Sequence, residues 1–591
     1  MKAQPKVSVV MSVYNGDQFL RETLDTVVNQ TLKDIEIILV SNGSTDRTFA
    51  IMQEYAEADS RVRAYQKDYS EAGTGRNFGF SFVTGKYISF LDGDDLFELN
   101  MLEKAYLHAE KHQAEMVAFG IDRFFPNEPR REKLSYPIMN KLPKKEVFSG
   151  DEVTCPFNVF GFCAWNKLFL REFYTDHQLR FLDLTIAEDT FLSITALCCA
   201  KRIAVLNEVL GHYRRFEAGV TSNEARFIRN VYVCAEELKN WLIQRKKWNT
   251  YEHDFVNFSA DRVVEMIQAE GLTEEEREFF YNEVRDKHLD SWSLKGRDLS
   301  YFYRTYTGLE VQRIAQLSYR EYCEITSPGL SQKKHFPELI VSVTSHPHRI
   351  HLAHKSLRSV LRQTEKADRV ILWLSEHDFP NRDNDLPEEI LKLKQYGLTI
   401  EWCRAMGSYQ KLIPALHQYP DSVIVTADDD MLYNADWLRL LWDSYQKKPE
   451  HIHCHRPAML EILDNELVWT TTGKRYYPYA TYLHRGISHA GVLYPPHSLH
   501  PDVMDEKLFL ELAPTNDDLW FWFMAIRNRT KLNVVNYAIP TPKFVEGTQT
   551  VALSISNFGQ EKLFERDFYR LSDRFKEVPA DLRKELNIDR G

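Results

Sequence analysis

The sequence predicts an α/β chain in which two mostly parallel-sheet domains stand in tandem, joined by a helical region. Three observations carry this reading. Short apolar strands alternate with amphipathic helices, the order of motifs recurs after residue 335, and one apolar strand in each half runs into an acidic cluster. At 591 residues the chain is also too long for one hydrophobic core.

Lys6–Met11 (KVSVVM) reads as a buried strand, being short, β-branched and bounded by polar residues. A helix is expected around Gln18–Gln30, then strands at Ile35–Val40 and Tyr87–Leu91. Strands separated by helices imply right-handed crossovers and a parallel sheet. The second half repeats the order, with a strand at Leu339–Val343, a helix through Ser356–Thr364, and strands at Val370–Leu374 and Val423–Thr426. Thr23–Thr31 (TLDTVVNQT) and Ser356–Thr364 (SLRSVLRQT) share their apolar positions, the Gln and the final Thr, 333 residues apart. The clusters Asp92-Gly-Asp94-Asp95 and Asp428-Asp429-Asp430 lie 336 residues apart, and each is followed by an acidic pair, Glu188-Asp189 and Asp517-Asp518. Between the halves, Ala225–Tyr322 is charged and helical in pattern, for example Arg226–Gln244 and Glu274–Asp286, and Ser327–Ser331 reads as a linker. The domains expected are therefore 1–224, a helical connecting region 225–335, and 336–591.

Composition narrows the function classes. Hydrophobic content of 43% and charged content of 27% fit a folded globular chain. A net charge of −11 disfavours a nucleic-acid binder, which needs clustered Lys and Arg. The eight cysteines contain no CxxC pair, so a zinc ribbon or disulfide framework lacks support. No signal-peptide region or apolar run near 18 residues is present, so a cytoplasmic protein is expected, with the lysines at 141, 144, 145, 333 and 334 offering at most a peripheral contact with the inner membrane face or an export complex.

A strand that ends in Asp-x-Asp places carboxylates at the carboxyl edge of a parallel sheet, where open α/β folds bind ligands. Carboxylates converging there repel unless a hard cation such as Mg²⁺ or Mn²⁺ joins them, and such ions bridge carboxylates to substrate phosphates. The alternative is an acidic helix cap, with Asp94 or Asp95 before Leu96-Phe97-Glu98. There is no GxxxxGK loop and no GxGxxG after a strand, which disfavours kinases, NTPases and nicotinamide enzymes.

The set Val10-Met-Ser-Val-Tyr-Asn-Gly16, Val40-Ser-Asn-Gly-Ser-Thr-Asp46, Gly75-Arg-Asn77, Asp92–Asp95, Trp165-Asn-Lys167, Glu188-Asp189 and Tyr213-Arg214 resembles inverting family 2 glycosyltransferases of the GT-A (Rossmann-like) fold. The resemblance covers roughly Val7 to Ser222. It implies a nucleotide-diphospho-sugar donor, with a UDP-sugar as the first expectation, and a roster of roles. Val13 and Tyr14 pack on the nucleobase, and Asn42 stands where the family has an Asp for the uracil edge, which leaves the nucleotide open. Arg76 reaches base or ribose, Asp92 contacts the ribose side, Asp94 binds Mn²⁺ or Mg²⁺ with Asp95 supporting it, and His212 is a further metal candidate. Asp189, with Glu188 beside it, is the catalytic base. The bland readings are Asp189 as N-cap of a helix near Thr190, Arg76 as an ordinary ion-pair partner, Trp165 as core and His212 as structural.

In the second half Asp428-Asp-Asp-Met-Leu-Tyr433 is similar to a motif of bacterial capsule N-acetylglucosaminyltransferases of the heparosan type, and Asn516-Asp-Asp-Leu-Trp520 to one of exostosin-like transferases. This implies that Ser345, Lys411 and Asp428 hold nucleotide, that Asp430 binds metal, and that Asp518, with Asp517 beside it, is the active-site carboxylate of a retaining enzyme. Arg485 is a further diphosphate candidate, and the aromatics of Trp469–Tyr494 are either a sugar-stacking surface or core. The function expected is a bifunctional, metal-dependent hexosyl- or N-acetylhexosaminyltransferase that extends a bacterial surface glycan (capsular, lipopolysaccharide or exopolysaccharide) on a glycan or lipid-linked acceptor. The alternative keeps only the first domain catalytic and makes the second an acceptor-binding module.

Overall fold

The computed structural model describes the chain apart from residues 1–3, 69–70, 126–130, 135, 216–223, 270, 464–465, 471–476, 536–541, 546–547, 549–562 and 589–591. Two compact units emerge, Met1–Tyr303 with Glu310–Ala315, and Arg304–Leu309 with Gln316–Gly591. Among the described residues no helix is long and apolar enough to cross a membrane.

The first unit is built on a nine-stranded mixed sheet. Its strands are β1 (Val7–Val13), β2 (Ile35–Asn42), β3 (Val62–Lys67), β4 (Tyr87–Leu91), β5 (Leu96–Phe97), β6 (Met116–Phe124), β7 (Arg131–Leu134), β8 (Lys167–Leu170) and β9 (Ile203–Arg214). The order is β3-β2-β1-β4-β8-β6-β9-β5, with β7 beside β6. β1 to β4 run parallel and β8 turns antiparallel to β4. Alternate side chains feed two cores, as strand geometry requires. Val9, Met11, Ile37 and Leu39 meet Leu20, Leu24 and Val27 of helix Leu20–Val28. Val10, Ile38, Val40 and Phe90 meet Phe169, Phe181 and Leu192 on the other face. Both faces are covered, which is why these strands read as continuous apolar runs.

The helices Glu224–Gln244, Trp248–Gln268 and Glu274–Glu283 belong to this first unit, so most of the expected connecting region folds as part of it. The amide of Asn230 donates to the Ile186 carbonyl at 3.2 Å, and Phe157 stacks on Tyr251 with centroids 5.8 Å apart. Sequence pattern shows an amphipathic face but not which body it covers.

The second unit has a seven-stranded sheet. β10 (Leu339–Thr344), β11 (Arg369–Ser375), β12 (Leu398–Cys403) and β13 (Val423–Asp428) are parallel in the order β12-β11-β10-β13, and strand Val492–Tyr494 then pairs antiparallel with β13. This repeats the arrangement β3-β2-β1-β4-β8. The echo extends to single hydrogen bonds. The Gln30 amide donates to Glu98 O (2.8 Å) and accepts from Leu102 N (2.9 Å), while Gln363 donates to Asn434 O (2.8 Å) and accepts from Leu438 N (2.9 Å). Thr31 N and Thr364 N each donate to the next carbonyl, Leu99 O and Ala435 O, at 2.7 Å. In both units this Gln ties the first helix to the segment following the acidic cluster. Of the aromatic segment Trp469–Tyr494, residues 471–476 lie outside the described residues, Tyr494 is core and Tyr479 is exposed.

Candidate active sites

In the first unit, β1, β2 and β4 end on one edge of the sheet, and β4 delivers Asp92, Asp94 and Asp95 there. The cluster is no helix cap. Leu96–Phe97 forms β5 against β9, and the next helix starts at Met101 with Asn100 as N-cap. Asp95 is fully buried, with one carboxylate oxygen accepting from Arg214 N at 2.9 Å and the other without a partner. The Arg214 guanidinium donates to Asp94 O (2.7 Å) and to Glu22 (2.8 Å), so it grips the backbone of the acidic turn and leaves the Asp94 carboxylate free of it. Burial, reinforced by the charge of Asp92, pushes Asp94 up to about 6. Asp95 is raised well above the usual range by burial and then by Asp94 and Asp92. These are crowded carboxylates that a cation would relieve.

Helix Glu188–Cys199 brings the second acidic pair to the same edge. Its N-cap is Ala187, at φ 61°, and makes no side-chain cap bond, so Asp189 lies inside the first turn and does not cap it. An alanine in the left-handed region is strained backbone. Helix Ala72–Phe80 packs beside it, and a Cβ on Gly73 would lie 1.7 Å from Leu182 O, so only glycine allows this approach. That helix carries Arg76, a buried guanidinium shared between Asp92 at 2.5 Å and Glu188. Arg76 thus couples the acidic turn to the helix bearing Asp189. Glu188 is spent on this ion pair, whereas Asp189 makes none among the described residues. Burial, and then the charge of Glu188, pushes Asp189 up to about 7 against the pull of Arg76. Lys167, fully buried, donates to Asn166 Oδ1 at 2.9 Å, and burial lowers its pKa.

The other expected residues are placed as follows. Asn42 is buried, its amide NH₂ donating to Glu71 O at 2.9 Å and its Oδ1 left without a partner. Val13 is buried at the end of β1, and Tyr14 is 58% exposed. Trp165 is core and stacks on Tyr213. His212 bonds to Asp122 (2.6 Å) and Glu98 (3.1 Å), not to the acidic turn, because its strand pairs it with Leu96, beyond that turn. Among the described residues no three His, Cys, Asp or Glu side chains form a ready metal cage. The unpartnered oxygen of Asp95 and the Asp94 carboxylate, raised by burial and by Asp92, nonetheless suit the mode in which one or two carboxylates hold a divalent ion and substrate phosphates complete its shell.

The second unit assembles an equivalent edge with different electrostatics. Lys411, buried, reaches Asp428 (3.0 Å), Ser488 (2.9 Å) and Asp517 (3.2 Å). Burial opposes the Asp428 carboxylate, yet Lys411 and His489 hold it below its ordinary value. Ser345 donates to Asp429 at 2.5 Å. Asp518 has one oxygen without a partner, while the other accepts from Ser488 N at 3.3 Å and lies 3.6 Å from Arg485. Burial, then Asp517, pushes Asp518 up to about 6. The structure therefore joins Ser345, Lys411, Asp428, Asp517 and Asp518 in one place. It also brings in two residues missed in the sequence, Ser488 and Arg349. Asp430, expected as a metal ligand, is instead paired with Arg349 at 2.5 Å.

Each unit thus carries a carboxylate-lined sheet edge, and comparison with known proteins identifies the class of the first unit. Residues 8–175 match the family described as glycosyl transferase family 2. Glycosyltransferase GlyG of Streptococcus pneumoniae is 37% identical over 226 residues, 37% of this chain and 73% of that protein. The chain belongs to glycosyl transferase family 2, and its first unit is a glycosyltransferase domain. Uncharacterized glycosyltransferase EpsJ of Bacillus subtilis is 32% identical over 36% of this chain and 61% of its own length. Minor teichoic acid biosynthesis protein GgaB of Bacillus subtilis is 25% identical over 50% of this chain and 30% of its own length. The chain thus spans less than two thirds of several relatives that it matches. Among solved structures, S. aureus TarS 1-349 in complex with UDP-GlcNAc aligns over 54% of this chain and 86% of its own, at 17% identity and a TM-score of 0.33.

Proposed function

We propose that the first unit transfers a sugar, with inversion, from a nucleotide-diphospho-sugar to an acceptor hydroxyl, and that the second unit is a further donor site in the same chain. The observation that carries this is the coupling of Asp189 to the acidic turn through Arg76 and its partners Asp92 and Glu188. Asp189 would take the acceptor hydroxyl proton as that oxygen attacks the anomeric carbon. A base raised towards neutrality suits this role, because proton transfer is most effective with a pKa near the working pH. Asn42 Oδ1 offers a buried acceptor for the imide N–H of uracil, which supports a uridine nucleotide. Asp94, with Asp95 behind it, would hold Mn²⁺ or Mg²⁺, which when bound supplies positive charge to the leaving diphosphate. In the second unit Ser345, Lys411 and Asp428 would face the donor and Asp518 the reacting sugar. The product would be a bacterial surface polymer, a reading supported by the relative named for teichoic acid biosynthesis.

The test is calorimetric titration of UDP with Mn²⁺ into the full chain and its Asp94→Ala variant, with transfer assayed from labelled donors. Asp94→Ala is expected to lose one Mn²⁺-dependent UDP site, and Asp189→Asn to keep it while losing transfer. An Asp94→Ala chain that binds UDP as the parent does refutes the assignment. A single UDP site in the parent would instead make the second unit an acceptor platform.

A further inference from the structure

The two units share the turn that leads from the first strand into the first helix. In the first unit Phe19 is the helix N-cap residue, with φ −118° and ψ −14°, and Phe19 N and Leu20 N both donate to Gly16 O. In the second unit Arg349 is the N-cap, with φ −116° and ψ −15°, and Arg349 N and Ile350 N both donate to His346 O. The backbone is the same, but a ring in one unit is a guanidinium in the other. The Phe19 ring turns to the Arg214 guanidinium, 4.4 Å from its centroid. The Arg349 guanidinium lands on the acidic cluster, Nη1 at 2.5 Å from Asp430 and Nη2 at 3.1 Å from Asp429.

This arrangement does not fit a divalent ion at Asp429 and Asp430. Both carboxylates are buried, with side chains 1% and 7% exposed, and the guanidinium covers one oxygen of each. Ser345 takes the other oxygen of Asp429. His346 Nε2 accepts from Arg349 Nε at 2.9 Å, which fixes the plane of the fork. A tethered guanidinium meeting carboxylates on two edges loses little further entropy on pairing, and an incoming ion would have to expel it and leave it uncompensated. In the first unit no described guanidinium pairs with the Asp94 carboxylate, and Arg214 bonds the backbone of that turn instead.

We propose that Arg349 is the resident cation of the second unit, taking at Asp429 and Asp430 the place that a divalent ion takes at Asp94, so that the two units differ in their metal requirement. This rests on reading the second unit as a donor site, as above. The test uses Mn²⁺ alone, followed by the loss of its free paramagnetic resonance signal, so the result does not depend on whether any nucleotide binds. The Asp94→Ala chain, with the first site removed and Arg349 intact, is expected to bind no Mn²⁺ in the second unit. Adding Arg349→Met, which keeps the apolar stem, is expected to create one Mn²⁺ site per chain, at least tenfold tighter than any residual binding and lost again on adding Asp430→Asn. Arg349→Lys, which keeps a positive charge, is expected to create none. An Asp94→Ala chain that already binds a Mn²⁺ removable by Asp430→Asn overturns the proposal, even if Arg349→Met fails to fold. So does a folded Arg349→Met chain that gains no Mn²⁺.

Discussion

Replacing Asp189 by asparagine separates the cost of this carboxylate from its use. Burial and the neighbouring Glu188 raise its pKa from 3.8 to about 7. The folded chain therefore holds a proton that the unfolded chain gives up, and stability is lost as pH rises from about 4 to about 7, the loss being complete above that. About three pH units at 1.4 kcal/mol each correspond to roughly 4 kcal/mol at pH 8, against roughly 1.5 kcal/mol at pH 5. Asparagine keeps the shape and carries no charge, so Asp189→Asn is expected to stabilise the chain more at pH 8 than at pH 5 while abolishing transfer. The 4 kcal/mol is a ceiling, because water that reaches the half-buried carboxylate relieves part of the cost. Denaturant titrations of parent and variant at both pH values supply the difference, and the parent's kcat/KM should rise through a limb near pH 7. A variant that is equally or less stabilised at pH 8, or that still transfers sugar, would refute the reasoning.

Three other substitutions probe the framework. Arg76→Met leaves Glu188 as an unpaired buried charge and Asp92 as a partly exposed one, and a loss of about 3 kcal/mol is expected in chemical denaturation, with donor binding lost as well. Gly73→Ala places a Cβ against the Leu182 carbonyl, so backbone must shift, with a loss above about 2 kcal/mol and impaired transfer. Gln30→Ala and Gln363→Ala each strand a buried N–H and C=O, and each is expected to cost about 1–3 kcal/mol by thermal unfolding. Near-equal costs would show that the repeated Gln does the same work in both units.

Much of this molecule is legible without coordinates. Apolar runs such as Val7–Val13 and Leu339–Thr344 announce parallel strands because a sheet covered on both faces has no polar positions to alternate. The offset recurrence of Gln, Thr and the acidic clusters announces two equivalent sheets, and the structure repeats the strand order and even the hydrogen bonds of that Gln. The placement of Asp92, Asp94 and Asp95 beyond β4, and of Asp189 near a helix start, was likewise readable from motif order alone. What could not be read is which partner each charge finds. Arg76 reads equally as a nucleotide contact or an ion-pair partner, and the structure joins it to Asp92 and Glu188; His212 reads as a metal ligand or a structural residue, and the structure holds it on Asp122 and Glu98. Asp430 looked free for a cation and is covered by Arg349, which no motif singles out. Strand periodicity depends on the local pattern of apolar residues, so sequence determines it. The electrostatics of the two edges depend on side chains brought together from distant segments, where a change of one N-cap residue from Phe to Arg decides what neutralises a carboxylate, and only the tertiary structure supplies that.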